Sequence, residues 1–265
     1  MREINNKVKL LVWDIEVIPF KGFFYNLRDK YRAIPTAFIE KHKSICTIAY
    51  KFIGDSKTTV MSVDDFPKTF NNDVYDDSAL ITEFSKVIAE ADRAIAHYGD
   101  KFDVPFLNTR AAYAGLTSLK LPSTIDTCKL AKKHFTLDSN SLSFLASFFK
   151  LEGKDKMEAG DWIGFINKEK DSIEKMKHYN AQDVDLLEQV YYKMLPYVKT
   201  NLDMRAFASK LHGVNCECCG SDNVKKNGRK VLSKKVVQNF QCLECGKNFY
   251  DTKIPYLSPD TGISL

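Results

Sequence analysis

Apolar and polar positions follow two rhythms along the chain, and the first is that of buried strands. Lys7–Glu16, KVKLLVWDIE, is a β-branched apolar run that ends on acids, which predicts a strand covered on both faces. Ile45–Ile53 and Lys57–Val63 have similar character, and Gly54-Asp55-Ser56 between them suits a three-residue hairpin turn. From Ser78 to Ala91 the period becomes helical, with apolar residues at 80, 81, 84, 87 and 88 and Ser78 as the N-cap. A strand over Arg93–His97, a helix over Val104–Ala114 with Pro105 in its first turn, and a strand centred on Ile125 come next. Helical spacing then dominates through Thr127–Phe135, Ser141–Phe149 and Ile173–Leu195. This order predicts an α/β fold, a mixed sheet flanked by helices.

Pro196 closes the last long helix, so the expected boundaries are a main domain over 1–197, a linker over 198–215, a second module over 216–253 and an irregular tail over 254–265. A 265-residue chain has room for one ordinary domain and a small module. With 44% hydrophobic and 28% charged residues it has the composition of a folded, soluble protein. No run approaches the roughly 18 apolar residues of a membrane span, and the charged start Met1-Arg2-Glu3 is unlike a signal sequence. A cytoplasmic protein, with no membrane partner, is therefore expected.

Charge and cysteines sharpen the second module. The net charge is +5, and between Cys219 and Cys242 the basic residues Lys225, Lys226, Arg229, Lys230, Lys234 and Lys235 face the single acid Asp222. That local excess equals the excess of the whole chain, so the basic surface is localised. Five of seven cysteines lie within 216–245, which in a reducing compartment points to metal; Cys46 and Cys128 stand alone in apolar surroundings as buried thiols.

Acids at i and i+2 on a strand, Asp14 and Glu16, share one face of the sheet; such a pair alone would equally suit a solvated strand end, but two anions in apolar surroundings are costly without a cation. Within AIAHYGDKFDVPFL (94–107) a strand passes through a glycine turn into a helix that starts near Asp103, a position that would equally suit an N-cap. Farther on, Tyr179 and Asp183 are spaced i, i+4 on one helix face, with His178 rotated away.

Together, Asp14-x-Glu16, Phe102-Asp103 with Pro105-Phe106-Leu107, and Tyr179-x-x-x-Asp183 resemble the three motifs of the DEDD 3′–5′ exonucleases of the ribonuclease H-like superfamily. Ile125-Asp126-Thr127 and Ser141-Leu142-Ser143-Phe144-Leu145 resemble the stretch between the second and third motifs, and the resemblance spans about residues 8–195. It implies a ribonuclease H-like sheet and hydrolysis from the 3′ end with two Mg²⁺ or Mn²⁺ ions. Asp14 would bridge both ions, Glu16 and Asp183 would complete the water-side site, and Asp103 would serve the second ion. Tyr179 would position the water, as in the tyrosine branch, with His178 the alternative; Glu16-Val17-Ile18 lacks the Thr-Gly of the histidine branch. Where family members carry Asn, four residues before Phe102, this chain has Tyr98.

Cys216-x-x-Cys219-Gly220 and Cys242-x-x-Cys245-Gly246 form two knuckles, in which the glycines mark the second cysteine of each pair and leave Cys218 spare. Cys216, Cys219, Cys242 and Cys245 would hold one structural Zn²⁺; His212 reads as a linker residue. The intervening segment resembles the ribbons of nucleic-acid-binding proteins, with a hairpin turn expected at Asn227-Gly228 and Phe240, Phe249 and Tyr250 offered for stacking. The expected partner is nucleic acid, DNA ahead of RNA, with a replication or recombination protein acting in trans and a phage-like setting by analogy. An RNA-trimming nuclease and a non-catalytic adaptor on a nuclease fold are the competing readings.

Overall fold

The computed structural model describes residues 9–23, 36–153, 155–198, 213–233 and 235–256. The expected linker residue His212, the basic Lys234 and positions 257–265 of the tail lie outside the described residues. Two compact units emerge, one of Lys9–Lys129 with Asp138–Gln189, the other including the described residues of Leu130–Leu137 and Val190–Leu265.

In chain order the first unit contains strands β1 (Leu10–Ile18), β2 (Lys21–Gly22), β3 (Ile39–Lys41), β4 (Ser44–Phe52) and β5 (Thr59–Ser62). Helices α1 (Pro67–Asn72) and α2 (Ser78–Ile88), strand β6 (Arg93–Ala96), helix α3 (Asp103–Tyr113) and strand β7 (Ser123–Asp126) follow. Helices α4 (Thr127–His134), α5 (Leu142–Phe148), α6 (Ala159–Ile166) and α7 (Lys170–Met194) complete the series, α4 and α7 continuing into the second unit. The main sheet has the order β5-β4-β1-β6-β7. β4 pairs antiparallel with β1 and β5, while β6 and β7 extend the sheet in parallel, so this is a mixed sheet of the expected class.

Alternation along β1 divides its side chains between two environments. Trp13 is fully buried, its ring 5.3 Å from that of Phe84 on α2, and Phe84 also meets Tyr50 of β4 at 5.9 Å. Leu107 and Ala111 of α3 belong to the same apolar core. Asp14 and Glu16 point to the other face, where α7 lies: Lys51 of β4 pairs there with Glu188 at 2.7 Å. Burial of these large apolar side chains contributes about 2 kcal/mol each and fixes which face of β1 turns toward α7.

Ser78 is the first residue of α2, whereas Asp77 occupies the cap position, and the Ser78 hydroxyl and amide both bond Asp76. Asp77, 1% exposed, accepts from Ile45 N at 2.9 Å and from Nε and Nη2 of Arg110, each at 2.8 Å. One carboxylate thereby ties the start of β4, the start of α2 and the end of α3.

The second unit includes the last turn of α7 and three strands, β8 (Val224–Val231), β9 (Val236–Cys242) and β10 (Asn248–Pro255), in the order β10-β9-β8. Asn227-Gly228 does not make the hairpin turn expected there. It forms a register shift inside β8, with Gly228 at φ 71°, and the chain reverses later, where Leu232 N donates to Lys235 O. Ile254 and Pro255, expected in an irregular tail, belong to β10. The unit is anchored on the residues that close α7: the buried Lys247 donates to Val198 O at 2.6 Å, and Cys218 Sγ donates to Leu195 O at 3.7 Å. A cation at these carbonyls complements the negative end of the helix dipole. No helix among the described residues is long and apolar enough to cross a membrane.

Replacing Asp77 with Ala should cost about 3–5 kcal/mol in urea unfolding, because the Arg110 cation stays buried without its partner. The double variant Asp77→Ala/Arg110→Met should recover part of that loss. A single variant as stable as the parent would show that the pair does not hold the three elements together.

Candidate functional site

Carboxylate oxygens of Asp14, Glu16 and Asp183 lie within 4.8 Å of one another, one pair of acids supplied by β1 and the third by α7. Asp103 is not within that group. It starts α3, is 2% exposed, and accepts from Ile15 N at 3.3 Å. The reason lies in the sheet: β6 pairs with β1 only as far as Val12, and the Asp103 carboxylate takes up the amide of Ile15 beyond that last pairing. Burial, with the charge of Asp126 adding to it, raises the Asp103 carboxyl to about 7.

The turn that delivers Asp103 is built by close approach. A side chain at Gly99 would overlap Ala96, so the passage from β6 into α3 requires glycine there. Tyr98 adopts φ 63°, a left-handed conformation that Asn tolerates far better than Tyr. Asp126 at the end of β7 holds this turn from outside, Oδ1 accepting from Tyr98 N at 3.1 Å and Oδ2 from Asp100 N at 3.3 Å. His97 is gripped on both sides, Nδ1 against Thr127 Oγ1 and Nε2 against Asn140 O, each at 2.9 Å. The carbonyl of Asn140 can only accept, so Nε2 carries a proton, and the Thr127 hydroxyl also donates to Ala96 O at 3.3 Å.

Tyr179 precedes Asp183 by one turn of α7 and also lines a cavity of about 700 Å³ with Ser143, Ala146, Met157, Trp162 and Leu186. His178 is two-thirds exposed and lies 3.0 Å from Gln182 Nε2 and 3.6 Å from Asp155. Asn180 is a residue that sequence reasoning missed. Fully buried, it donates from Nδ2 to Asp14 Oδ2 at 2.8 Å and accepts from Thr47 Oγ1 at 3.0 Å. Its only sequence signal was its place between Tyr179 and Asp183.

The four cysteines of the two knuckles also converge, their sulfurs within 4.8 Å of one another. Cys216–Cys245 and Cys219–Cys242 are each 3.6 Å apart, close to the roughly 3.8 Å between sulfurs of a tetrahedral zinc site. Gly220 and Gly246 take φ 77° and 74°, the left-handed turns expected of knuckles. Mutual hydrogen bonding lowers the Cys216 thiol, while the contact with Cys216 raises Cys219 and Cys245; four converging sulfurs of this kind are compatible with a bound cation.

On β8, Lys225, Lys226, Arg229 and Lys230 are all exposed on an edge strand, and Lys235 follows in the turn. Two of the three aromatic residues expected to stack on bases do not face solvent. Phe240 and Phe249 are buried against each other with centroids 5.8 Å apart, because a sheet this small draws its core from them; Tyr250 remains 37% exposed.

The chain belongs to the RNase H superfamily, whose family model matches residues 36–195. The match takes in Asp103, Tyr179 and Asp183 and begins after β1. In fold the chain is similar to the family B DNA polymerase from the hyperthermophilic archaeon Pyrobaculum calidifontis, at 15% identity and a TM-score of 0.50. That alignment covers 88% of this chain and 32% of the polymerase, so the chain spans about a third of the polymerase's length. No curated protein sequence matches.

Because Asp103 keeps its proton in the folded state up to about pH 7 but loses it near 3.8 once exposed, the folded protein binds more protons between these values. Stability in the presence of a chelator should therefore fall as pH rises from about 4 to about 7. Urea unfolding at pH 5 and pH 8 should show that fall in the parent and a flatter profile in Asp103→Asn; equal slopes would place the proton elsewhere.

Proposed function

We propose that this protein is a metal-dependent 3′–5′ exonuclease of the tyrosine branch of the DEDD family. It would hydrolyse the terminal phosphodiester of a DNA strand and release nucleoside 5′-monophosphates. The observation that carries the reading is the convergence of Asp14 and Glu16 of β1 with Asp183 of α7, acids 167 and 169 residues apart in sequence, one helical turn from Tyr179. The DNA polymerase that shares the fold supports DNA as the polymer.

Hard oxygen donors in this number fit Mg²⁺ or Mn²⁺: Asp14, Glu16 and Asp183 would hold the cations, and Asp103 would serve a second one directly or through water. Such cations supply, when bound, a more acidic water and neutralisation of charge on the phosphodiester. The Tyr179 hydroxyl orients the attacking water, and His178 stays beside the site. Water adds to the terminal phosphorus, the bond to the penultimate 3′ oxygen breaks, and that oxygen takes up a proton. The cavity beside Tyr179 gives the terminal nucleoside room to leave the base stack.

Domain roles follow the same reading. Residues 1–197 carry the chemistry, 198–215 connect, and Cys216, Cys219, Cys242 and Cys245 hold one structural Zn²⁺ that organises the ribbon over 216–253. The basic edge strand of Lys225, Lys226, Arg229 and Lys230 then neutralises phosphates of the strand being degraded.

Oligonucleotides labelled at either end, incubated with Mn²⁺, should shorten stepwise from the 3′ end, and Asp14→Ala should lower the rate by at least about a thousandfold. Undiminished cleavage by that variant would sink the site; cleavage confined to RNA would reassign the polymer; binding without cleavage by the parent would make the chain an adaptor. Replacing Lys225, Lys226, Arg229 and Lys230 by Ala should weaken DNA binding and reduce the slope of log affinity against log salt by about 2–4. An unchanged slope would remove the ribbon from the nucleic-acid surface.

A further inference from the structure

A polar chain that reaches the acidic cluster from the interior begins on β4. Thr47 pairs directly with Glu16 in the β1–β4 ladder, so its side chain shares the face of Asp14 and Glu16. A register shift follows at Glu16/Val17, where the ladder moves from Thr47 to Ile45 and Cys46 becomes the extra residue, its Sγ donating to Glu16 O at 3.3 Å. This bulge sits beside the candidate site, the setting in which such irregularities re-aim side chains. Above the same face α7 lowers Asn180 onto the sheet.

Thr47 and Asn180 are each fully buried, so the cost of leaving any of their polar atoms unpaired is high. Hydrogen bonding fixes their orientation without ambiguity. An ionised Asp14 can only accept, so Nδ2 of Asn180 must face it; Oδ1 must then accept, which commits the Thr47 hydroxyl to donating. Direction is thus passed from the strand ladder to the helix amide and from there to the carboxylate. With Nδ2 bound at 2.8 Å, Asp14 Oδ2 has one lone-pair direction occupied, and the carboxylate plane is held against rotation.

We propose that Thr47 and Asn180 are positioning residues, a relay that presets the Asp14 carboxylate for cation binding. The inference rests on the metal-site reading above. It assigns a reason for a buried amide between Tyr179 and Asp183, where an apolar residue would pack with less polar cost. A neutral amide suits the role, since it grips the anion without competing for the cation, as a lysine would, and without adding repulsion, as a fourth acid would.

The test is Mn²⁺ binding to the full chain, read by electron paramagnetic resonance without nucleic acid, beside urea unfolding in chelator. Thr47→Val removes the donor at nearly constant volume and Thr47→Ala removes it with less bulk, while Thr47→Ser keeps it. Asn180→Leu removes the grip itself. The first two and Asn180→Leu should weaken Mn²⁺ binding about 10–100-fold, and Thr47→Ser should stay within about twofold of the parent. A residue that only supports the fold would shift the unfolding midpoint and leave the affinity of the folded protein alone. Parent-like Mn²⁺ affinity in folded Thr47→Val, Thr47→Ala or Asn180→Leu would overturn the relay while Asp14→Ala still abolishes binding. Binding by Asp14→Ala equal to that of the parent would overturn the metal site and the relay together.

Discussion

Three carboxylates whose oxygens gather within 4.8 Å repel one another, and the fold must oppose that repulsion before any ligand is considered. The opposing work is done by rigid neighbours. Asp14 and Glu16 cannot retreat along β1, because Trp13 and Ile15 between and beside them are locked into the core on the other face. Asp183 cannot swing away, because α7 is pinned to β4 by Lys51 against Glu188 and Asp185 and to the residue before β5 by Thr58 against Asp185. An apolar face on one side and ion pairs on the other therefore hold an arrangement that has no stability of its own.

Asp103 stands apart from that triad for a related reason. Its carboxylate is spent on a backbone amide that the shortening of β6 leaves without a ladder partner. A group so placed is buried, and burial favours its neutral form. Asp126, which clamps the adjoining turn through Tyr98 N and Asp100 N, supplies the nearby negative charge that makes the neutral state easier still.

Much of this was legible in the sequence, and the limits were physical ones. The β-branched run of β1 and the helical periods of α2 and α7 announce themselves because each buries a continuous stripe or face. The D-x-E pair, Asp103 and Tyr179-x-x-x-Asp183 were legible as motifs. Other elements were not: α1, at six residues, is too short for a period to be counted, α6 went unread, and β10 was hidden in a segment with prolines at its end. Asn227-Gly228 misled because left-handed φ suits a bulge as well as a turn, and only the register with β9 separates the two. Phe240 and Phe249 misled because composition cannot tell a small core from an exposed stacking platform.

Thr47 and Asn180 mark the deeper limit, since a relay between residues 133 positions apart has no local pattern at all. Each residue alone looks like a minor polar interruption in an apolar run. Their meaning appears only when the ladder sets Thr47 opposite Glu16, on the face toward α7, and the helix brings Asn180 between the hydroxyl and Asp14. A buried amide that grips an acid in this way shapes an anionic centre, because an acid free to rotate loses part of its attraction for a cation in ordering itself. In this chain the sheet performs that ordering in advance, through one hydroxyl and one amide.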